Sequence, residues 1–375
     1  MNNFFTLIFL ILIAGCSRRQ DDSLLVIDTE ETKPGEMKLS QMFQKEGMVI
    51  LETNDSCLIS NIRQVIKVKD NLFILSSHDI DNEILKFNTD GKYIGRIGRI
   101  GHGPGEYSQL RDLTVDTLNN RLIAGSDNGI IVYNFDGTLI NKFSFKTPEI
   151  IEDLAWIDNS LLVFGIKFKT GSLIQYSMDI YDQNLKKQDS LILFVNKSEK
   201  LNIVQNTIIL SDVQSGKYLY FPVIDKDVPL HDTIFKLKEN NLIPTIRLKI
   251  NSIEKNEDWK IENNGSPVFQ DFLHINEAYR TDDFLFVNYQ KVMPYLLIYS
   301  FNEKKGDIIR SGFTDDLLMP GQHNQLITPV PLNLRKGEFY YALSGVSVAD
   351  KWQDVNENSN PVMFFLNLKK SHHNH

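Results

Sequence analysis

Residues 130–137 read IIVYNFDG: three apolar residues, an aromatic, and a polar turn closing on Asp136-Gly137. This stretch decides the fold because it returns. ILKFNTDG (84–91), MDIYDQNL (178–185), TIFKLKEN (233–240), LLIYSFNE (296–303) and MFFLNLKK (363–370) repeat the same sense of apolar run, aromatic and turn. Their aromatics are Phe87, Tyr133, Tyr181, Phe235, Tyr299 and Phe365, spaced from 46 to 66 residues apart. The shortest spacing is near the period of a propeller blade, and the longer ones imply insertions.

Around each copy lie further short apolar runs separated by Asp, Asn and Gly turns, and no long stretch has helical periodicity. In the first unit these runs are IRQVIKV (62–68), NLFILSS (71–77) and GKYIGRI (91–97), with ILKF between the last two. The second gives LRDLTVD (110–116), RLIAGS (121–126), IIVYNF and TLINKFSF (138–145). Four strand-like runs joined by tight turns describe one antiparallel blade. The predicted fold is therefore all-β: a six-bladed β-propeller of four-stranded antiparallel blades.

Ring closure follows from the two ends of the pattern. The sixth unit has no fourth run after FFLNLKK, whereas MVILETND (48–55) precedes the first inner run of blade one. The N-terminal strand, at about 48–55, is predicted to complete blade six and close the ring, since an open ring would leave unpaired edges.

The remaining segments give an address. Phe4 to Gly15, FFTLIFLILIAG, has the length of a signal-peptide apolar region and is too short to span a bilayer as a helix. Ile13-Ala14-Gly15-Cys16 resembles a bacterial lipobox, which implies a signal peptide over 1–15, lipidation of Cys16 and a polar tether over 16–23. The n-region lacks Lys and Arg, a departure from the usual signal. Residues 24–370 form the expected propeller and 371–375 a disordered tail. With Cys16 lipidated, Cys57 is the remaining thiol and is expected to be a small buried residue. A net charge of −8 argues against nucleic acid as a partner.

The lipobox, the KLSQMF and VILETNDS opening, the GRIGRIGHGPGEY loop (95–107) and the six aromatic-ended strands together resemble the six-bladed β-propeller lipoproteins of Bacteroidetes, relatives of the NHL-type propellers. Asp21-Asp22 loosely resembles the acidic export signal of surface lipoproteins in that group. The resemblance implies an outer-membrane lipoprotein at the cell surface or the periplasmic face. It implies nothing about activity.

Candidate chemistry sits at the channel mouth, where the inner strands begin. The repeat places Arg63, Arg111, Asp112, Glu152, Asp153, Glu277 and Arg280 there, with Asn206 and Asn333. Such a ring suits a polar ligand; alternatively its members pair with one another and satisfy buried backbone. Trp259 and Trp352 lie in polar insertions, 252–272 and 347–361, where an indole either stacks on a sugar or plugs its loop onto the body. The eight histidines fall at no repeated blade position, and neither HExxH nor CxxC spacing occurs, so no metal site and no cofactor are predicted. DIDNE (79–83) lacks the glycine and distal glutamate of a calcium loop. There is no GxSxG elbow.

GRIGRIGHGPGEY could cradle a phosphate, but it lacks a Walker pattern, and a strand rather than a helix follows it. It reads as the connector from the rim of blade one to the axis of blade two, with Arg99, His102 and Glu106 near the mouth. The leading functional expectation is a membrane-anchored extracytoplasmic protein that binds a glycan or peptide at the channel mouth and insertion loops. The alternatives are a propeller hydrolase or lyase, and a structural component of an envelope complex.

Overall fold

The structure is a computed structural model, and it describes residues 24–370 apart from 30–31, 79–80, 128, 145–148, 170–172, 198–207, 223–231, 250–273, 291–292, 320–324, 350 and 353–354. Six four-stranded antiparallel blades follow one another: residues 61–97, 110–144, 149–197, 209–249, 274–310, and 330–368 completed by Phe43–Ile50. The six aromatic-ended runs form the third strand of every blade. Phe87, Tyr133, Phe235, Tyr299 and Phe365 are buried there. Their recurrence has a packing cause, since the third strand lies between two neighbours and both its faces meet adjacent blades.

Local chemistry explains the tight outer hairpins. In blade 1, Asn88 Oδ1 accepts from the amides of Asp90 and Lys92, at 3.1 and 2.8 Å. Gly91 follows at φ +88°, and a Cβ there would stand 2.1 Å from the Ile50 carbonyl oxygen. Glycine is thus required both by the turn and by the close approach of the closing strand.

The ring is held by six apolar clusters, one at each blade–blade interface. They join blades 1 and 2, 2 and 3, 3 and 4, 4 and 5, 5 and 6, and 6 and 1. Phe73, Phe164, Phe286 and Phe364 are fully buried in four different blades. Each such side chain contributes about 1.5–3 kcal/mol by leaving water. Cys57 is buried in the cluster between blades 6 and 1.

Closure is as expected in kind but shifted in extent. The N-terminal strand that pairs with Val362–Leu368 is Phe43–Ile50, so it begins five residues before Met48 and ends before Leu51. Residues 51–60 instead form the passage into blade 1. Asn360 fastens that passage: its Oδ1 accepts from the Ile59 amide at 2.8 Å, and its Nδ2 donates to the carbonyls of Glu52 and Cys57, both at 2.7 Å.

The segment before the closing strand has an additional role. Leu25–Asp28 adds a fifth strand, parallel to Asn241–Lys249, at the outer edge of blade 4. Gly35 then bridges to Ile309 on blade 5, Lys38 bridges to Thr314, and Ser40 donates to Asp316 from its amide and hydroxyl at 2.9 and 2.6 Å. The N-terminal segment is therefore a belt across the outer edges of blades 4, 5 and 6, covering strand edges that would otherwise be open.

Candidate functional site

The blade topology sorts the connections onto two faces. Every inner strand begins at the face that carries the blade-to-blade connectors and ends at the face carrying the short hairpins 68–71, 157–160, 213–216 and 333–338. The first is the entrance face, and four inner strands share a device there. Register shifts in blades 1, 2, 3 and 5 insert Arg63, Arg111, Glu152 and Asn276 as extra residues. A bulge re-aims the side chains beside it. The residues that follow are Gln64, Asp112, Asp153 and Glu277.

Gln64 and Asp112, with Thr114 and Ser211, stitch neighbouring inner strands together. The Gln64 amide donates to the Leu113 carbonyl at 2.8 Å and accepts from the Leu113 amide at 2.9 Å, joining blades 1 and 2. Asp112 Oδ2 accepts from the Leu154 amide at 2.7 Å and Thr114 Oγ1 from the Trp156 amide at 2.9 Å, joining blades 2 and 3. Ser211 Oγ accepts from the Arg280 amide at 3.0 Å, joining blades 4 and 5.

Between blades 2 and 3 the stitching leaves a concentrated group. The carboxyls of Asp112 and Asp153 hydrogen-bond each other. Burial raises Asp112 above the ordinary carboxylate range, and burial followed by the Asp112 charge raises Asp153 well above it. Ionising either carboxyl thus opposes ionisation of the other, because two carboxylates held this close repel each other away from bulk water. Glu152 is also raised by burial, against the opposing pull of Arg111. Arg111 Nε donates to Asp127 Oδ1 at 2.7 Å. One cation, one fixed carboxylate and three acids of raised pKa therefore meet at the entrance. Asp127 was not among the residues expected from the sequence, since the hairpin that brings it back to Arg111 lies outside the inner strand.

The other expected residues are dispersed. Arg63 is exposed on blade 1. Glu277 is exposed on blade 5 and accepts from Asn288 Nδ2 at 2.8 Å. Arg280 is the last residue of its inner strand, at the opposite end from the entrance. The expectation that it lines the mouth is corrected: the strand begins at His274, so six residues of rise separate Arg280 from that end. Asn333 likewise ends, rather than begins, the inner strand Val330–Asn333. Trp352 is half-buried and packs on Phe364 with ring centroids 6.1 Å apart, so it pins its loop to blade 6. Cys16, Trp259 and Asn206 lie outside the described residues.

The glycine-rich loop resolves the question of a phosphate cradle. Its anion is internal: Glu106 Oε2 accepts from the Gly103 amide at 2.7 Å, and Oε1 is paired with Arg99. A Cβ at Gly101, where φ is +157°, would stand 2.1 Å from the same carboxylate. The loop wraps its own glutamate and carries the chain from Ile97 to Leu110, as a connector. Arg99 and His102 are exposed, but Glu106 is committed within the loop.

A family model described as a domain of unknown function, DUF4934, matches residues 24–367. The chain belongs to this family. The matched region runs from the belt strand to the last strand of blade 6, so the DUF4934 domain is the whole ring. Among solved structures, a protein from Bacteroides fragilis described as exported is 19% identical with a TM-score of 0.67, covering 93% of this chain and all of that one. A member of the DUF4221 family from Bacteroides vulgatus is 9% identical with a TM-score of 0.49, covering 90% of this chain and all of that one. At these identities the likeness to the first is one of fold. No curated protein matches the chain. Among the described residues, no helix is long and apolar enough to cross a membrane, and no group of three or more His, Cys, Asp or Glu could hold a metal ion.

Proposed function

We propose that this DUF4934 protein is an extracytoplasmic, lipid-anchored binding protein of the outer membrane, allied to the NHL-type propeller lipoproteins. In this reading it captures a glycan at the entrance formed by blades 2 and 3. The observation that carries the reading is the group Arg111, Asp112, Asp127, Glu152 and Asp153, gathered by two bulged inner strands. Several carboxyl groups set close together offer clustered acceptors, which match the vicinal hydroxyls of a sugar. Arg111 adds donors of fixed geometry beside them. The address rests on the lipobox before Cys16, and the exported relative agrees with it.

The test is binding of the chain from Leu24 onward to glycan and peptide arrays, with and without EDTA, together with analysis of the bound compound for turnover. Glycan binding indifferent to EDTA, with no product, is the expected outcome. Glu152→Gln and Arg111→Gln should each weaken it by about tenfold, the worth of a charge-assisted hydrogen bond. Metal-dependent consumption of the ligand would defeat the binding reading. The direct contact of the Asp112 and Asp153 carboxyls favours one alternative, a hydrolase using the pair as acid and base; product formation abolished by Asp153→Asn would establish it. Labelling with tritiated palmitate, lost in Cys16→Ser, tests the anchor.

A further inference from the structure

The hairpin face holds a cationic group of a different kind, between blades 4 and 5. The Arg280 guanidinium lies 4.2 Å from the ring centroid of Tyr218 on blade 4 and 4.2 Å from that of Phe301 on blade 5. Lys236 Nζ lies 5.6 Å from the same Tyr218 centroid. Stacking on aromatic faces fixes the plane of a guanidinium but leaves its hydrogen-bonding edge unspent. Arg280 Nε donates to the Thr281 carbonyl at 3.1 Å. Among the described residues, neither Arg280 nor Lys236 is ion-paired with a carboxylate. The acid next to Arg280, Asp282, uses its two oxygens on the amides of Gln214 and Ser215, at 3.0 and 2.9 Å. Burial pulls Arg280 below its ordinary pKa, with Tyr218 and Asp282 opposing. A partly desolvated cation whose terminal N–H groups have no carboxylate partner among the described residues is a receptor for an oxyanion.

We propose that this cationic group binds a phosphate, held by the guanidinium of Arg280 and the ammonium of Lys236. Two cations against one ring give the charge that a phosphate carries, and the clamped fork gives the bidentate geometry it accepts. The belt suggests where such a phosphate comes from. Leu25 and Ile27 pack in the same cluster as Tyr218, on the face of blade 4 that looks toward blade 5. Strand Leu25–Asp28 runs parallel to Asn241–Lys249, which climbs away from the hairpin face, so traced backward the strand points toward that face. Cys16 is eight residues before Leu24, a reach of about 25–30 Å fully extended. A lipid on Cys16 would bring headgroup phosphates within range of Arg280. This assignment of source, unlike the site itself, rests on the lipoprotein reading.

The experiment uses the chain from Leu24 onward, which contains every strand of the ring. Its binding is measured to phosphatidylcholine vesicles with and without phosphatidylglycerol, and separately to inorganic phosphate and glycerol phosphate. The expected result is preference for phosphatidylglycerol vesicles, weakened about tenfold by Arg280→Gln and less by Lys236→Gln, with Arg280→Lys intermediate and Lys305→Gln unchanged. Binding of the soluble phosphates with the same dependence, and no vesicle preference, keeps the site and makes its ligand soluble. No binding in either arm, or equal binding by folded Arg280→Gln and Lys236→Gln variants, overturns the proposal. Palmitate labelling of Cys16 is read independently, so failure of the anchor and failure of the site are distinguishable.

Discussion

The two ends of the channel use carboxylates in opposite ways. At the entrance, burial raises Asp112, Asp153 and Glu152, and the first two are in contact. At the hairpin face, Asp158 is lowered by its hydrogen bond from Lys217 on the next blade. Burial would raise Asp282 there, but the Ser215 and Gln214 amides and the Arg280 charge outweigh it, and the group lies below the ordinary range. Asp212 of blade 4 pairs with Arg335 of blade 6 at 2.7 Å, so this face is tied across blades by ions. The same residue type is stabilising where donors surround it and costly where another carboxyl does. A ring does not need three acids of raised pKa at one end to stay closed, so closure alone does not explain the entrance group.

The largest effect is expected where the hairpin face is broken. Asp116, at the end of blade 2's inner strand, is fully buried. It accepts from Asn119 Nδ2 at 2.7 Å and Arg121 Nε at 2.9 Å, while Arg121 also lies over the Trp156 ring of blade 3. Burial alone would raise Asp116, but the bonds from Asn119 and Arg121 hold it below its ordinary value of 3.8. Asp116→Ala should cost about 3–5 kcal/mol at neutral pH, since it strands a guanidinium at a blade interface. A lowered acid contributes stability above its unfolded pKa and loses it as pH falls through the folded one. The deficit measured by urea unfolding should therefore be full at pH 7 and shrink well below pH 3.8. A deficit independent of pH would assign the cost to lost packing instead.

The entrance should respond with the opposite sign. Asp153 is raised, so its contribution is present below the unfolded pKa near 3.8 and lost as pH rises through the folded value. Asp153→Asn keeps the shape, removes one ionisable partner and abolishes that loss. Its melting temperature should exceed that of the parent by a few degrees at pH 8 and match it at pH 4. A variant that is less stable at both pH values would show that the carboxyl pair holds the blades together, and the contrast between the two ends would collapse.

Legibility in the sequence follows the same division between local and distant causes. The third strands could be read because an apolar run ending in an aromatic and a turn is a local pattern, enforced at every blade by burial on both faces. The turn at Asp90-Gly91 could be read for the same reason. Asp112 and Asp153 were each placed on inner strands by the repeat, but their contact depends on bulges at Arg111 and Glu152, and an extra residue in a ladder has no sequence signature. Arg280 was assigned to the wrong end because the strand start at His274 was obscured by the preceding insertion. The belt strand Leu25–Asp28 is not legible in the sequence because a parallel strand added at an edge has no hairpin to announce it. The Asn360 clasp joins groups about three hundred residues apart, and only the closed ring brings them together.

The smallest effect belongs to the glycine-rich loop beside the entrance. Glu106 lies on the connector from blade 1 to blade 2, and its carboxylate is lowered by the Gly103 amide first and by Arg99 second. It therefore behaves like the acids of the hairpin face although it stands beside the entrance. Environment, and not position along the channel, sets the behaviour of a carboxylate in this ring. Glu106→Gln keeps an acceptor for the Gly103 amide but loses the pairing with exposed Arg99, so global unfolding should scarcely change. The consequence should be local: faster hydrogen exchange at the Gly103 amide at pH 7, with Tyr107 still buried and its exchange unaltered. Exchange that also quickens at Leu110–Asp116 would mean that the loop's internal anion helps to seat the bulged strand, and would join the loop to the entrance group as one unit.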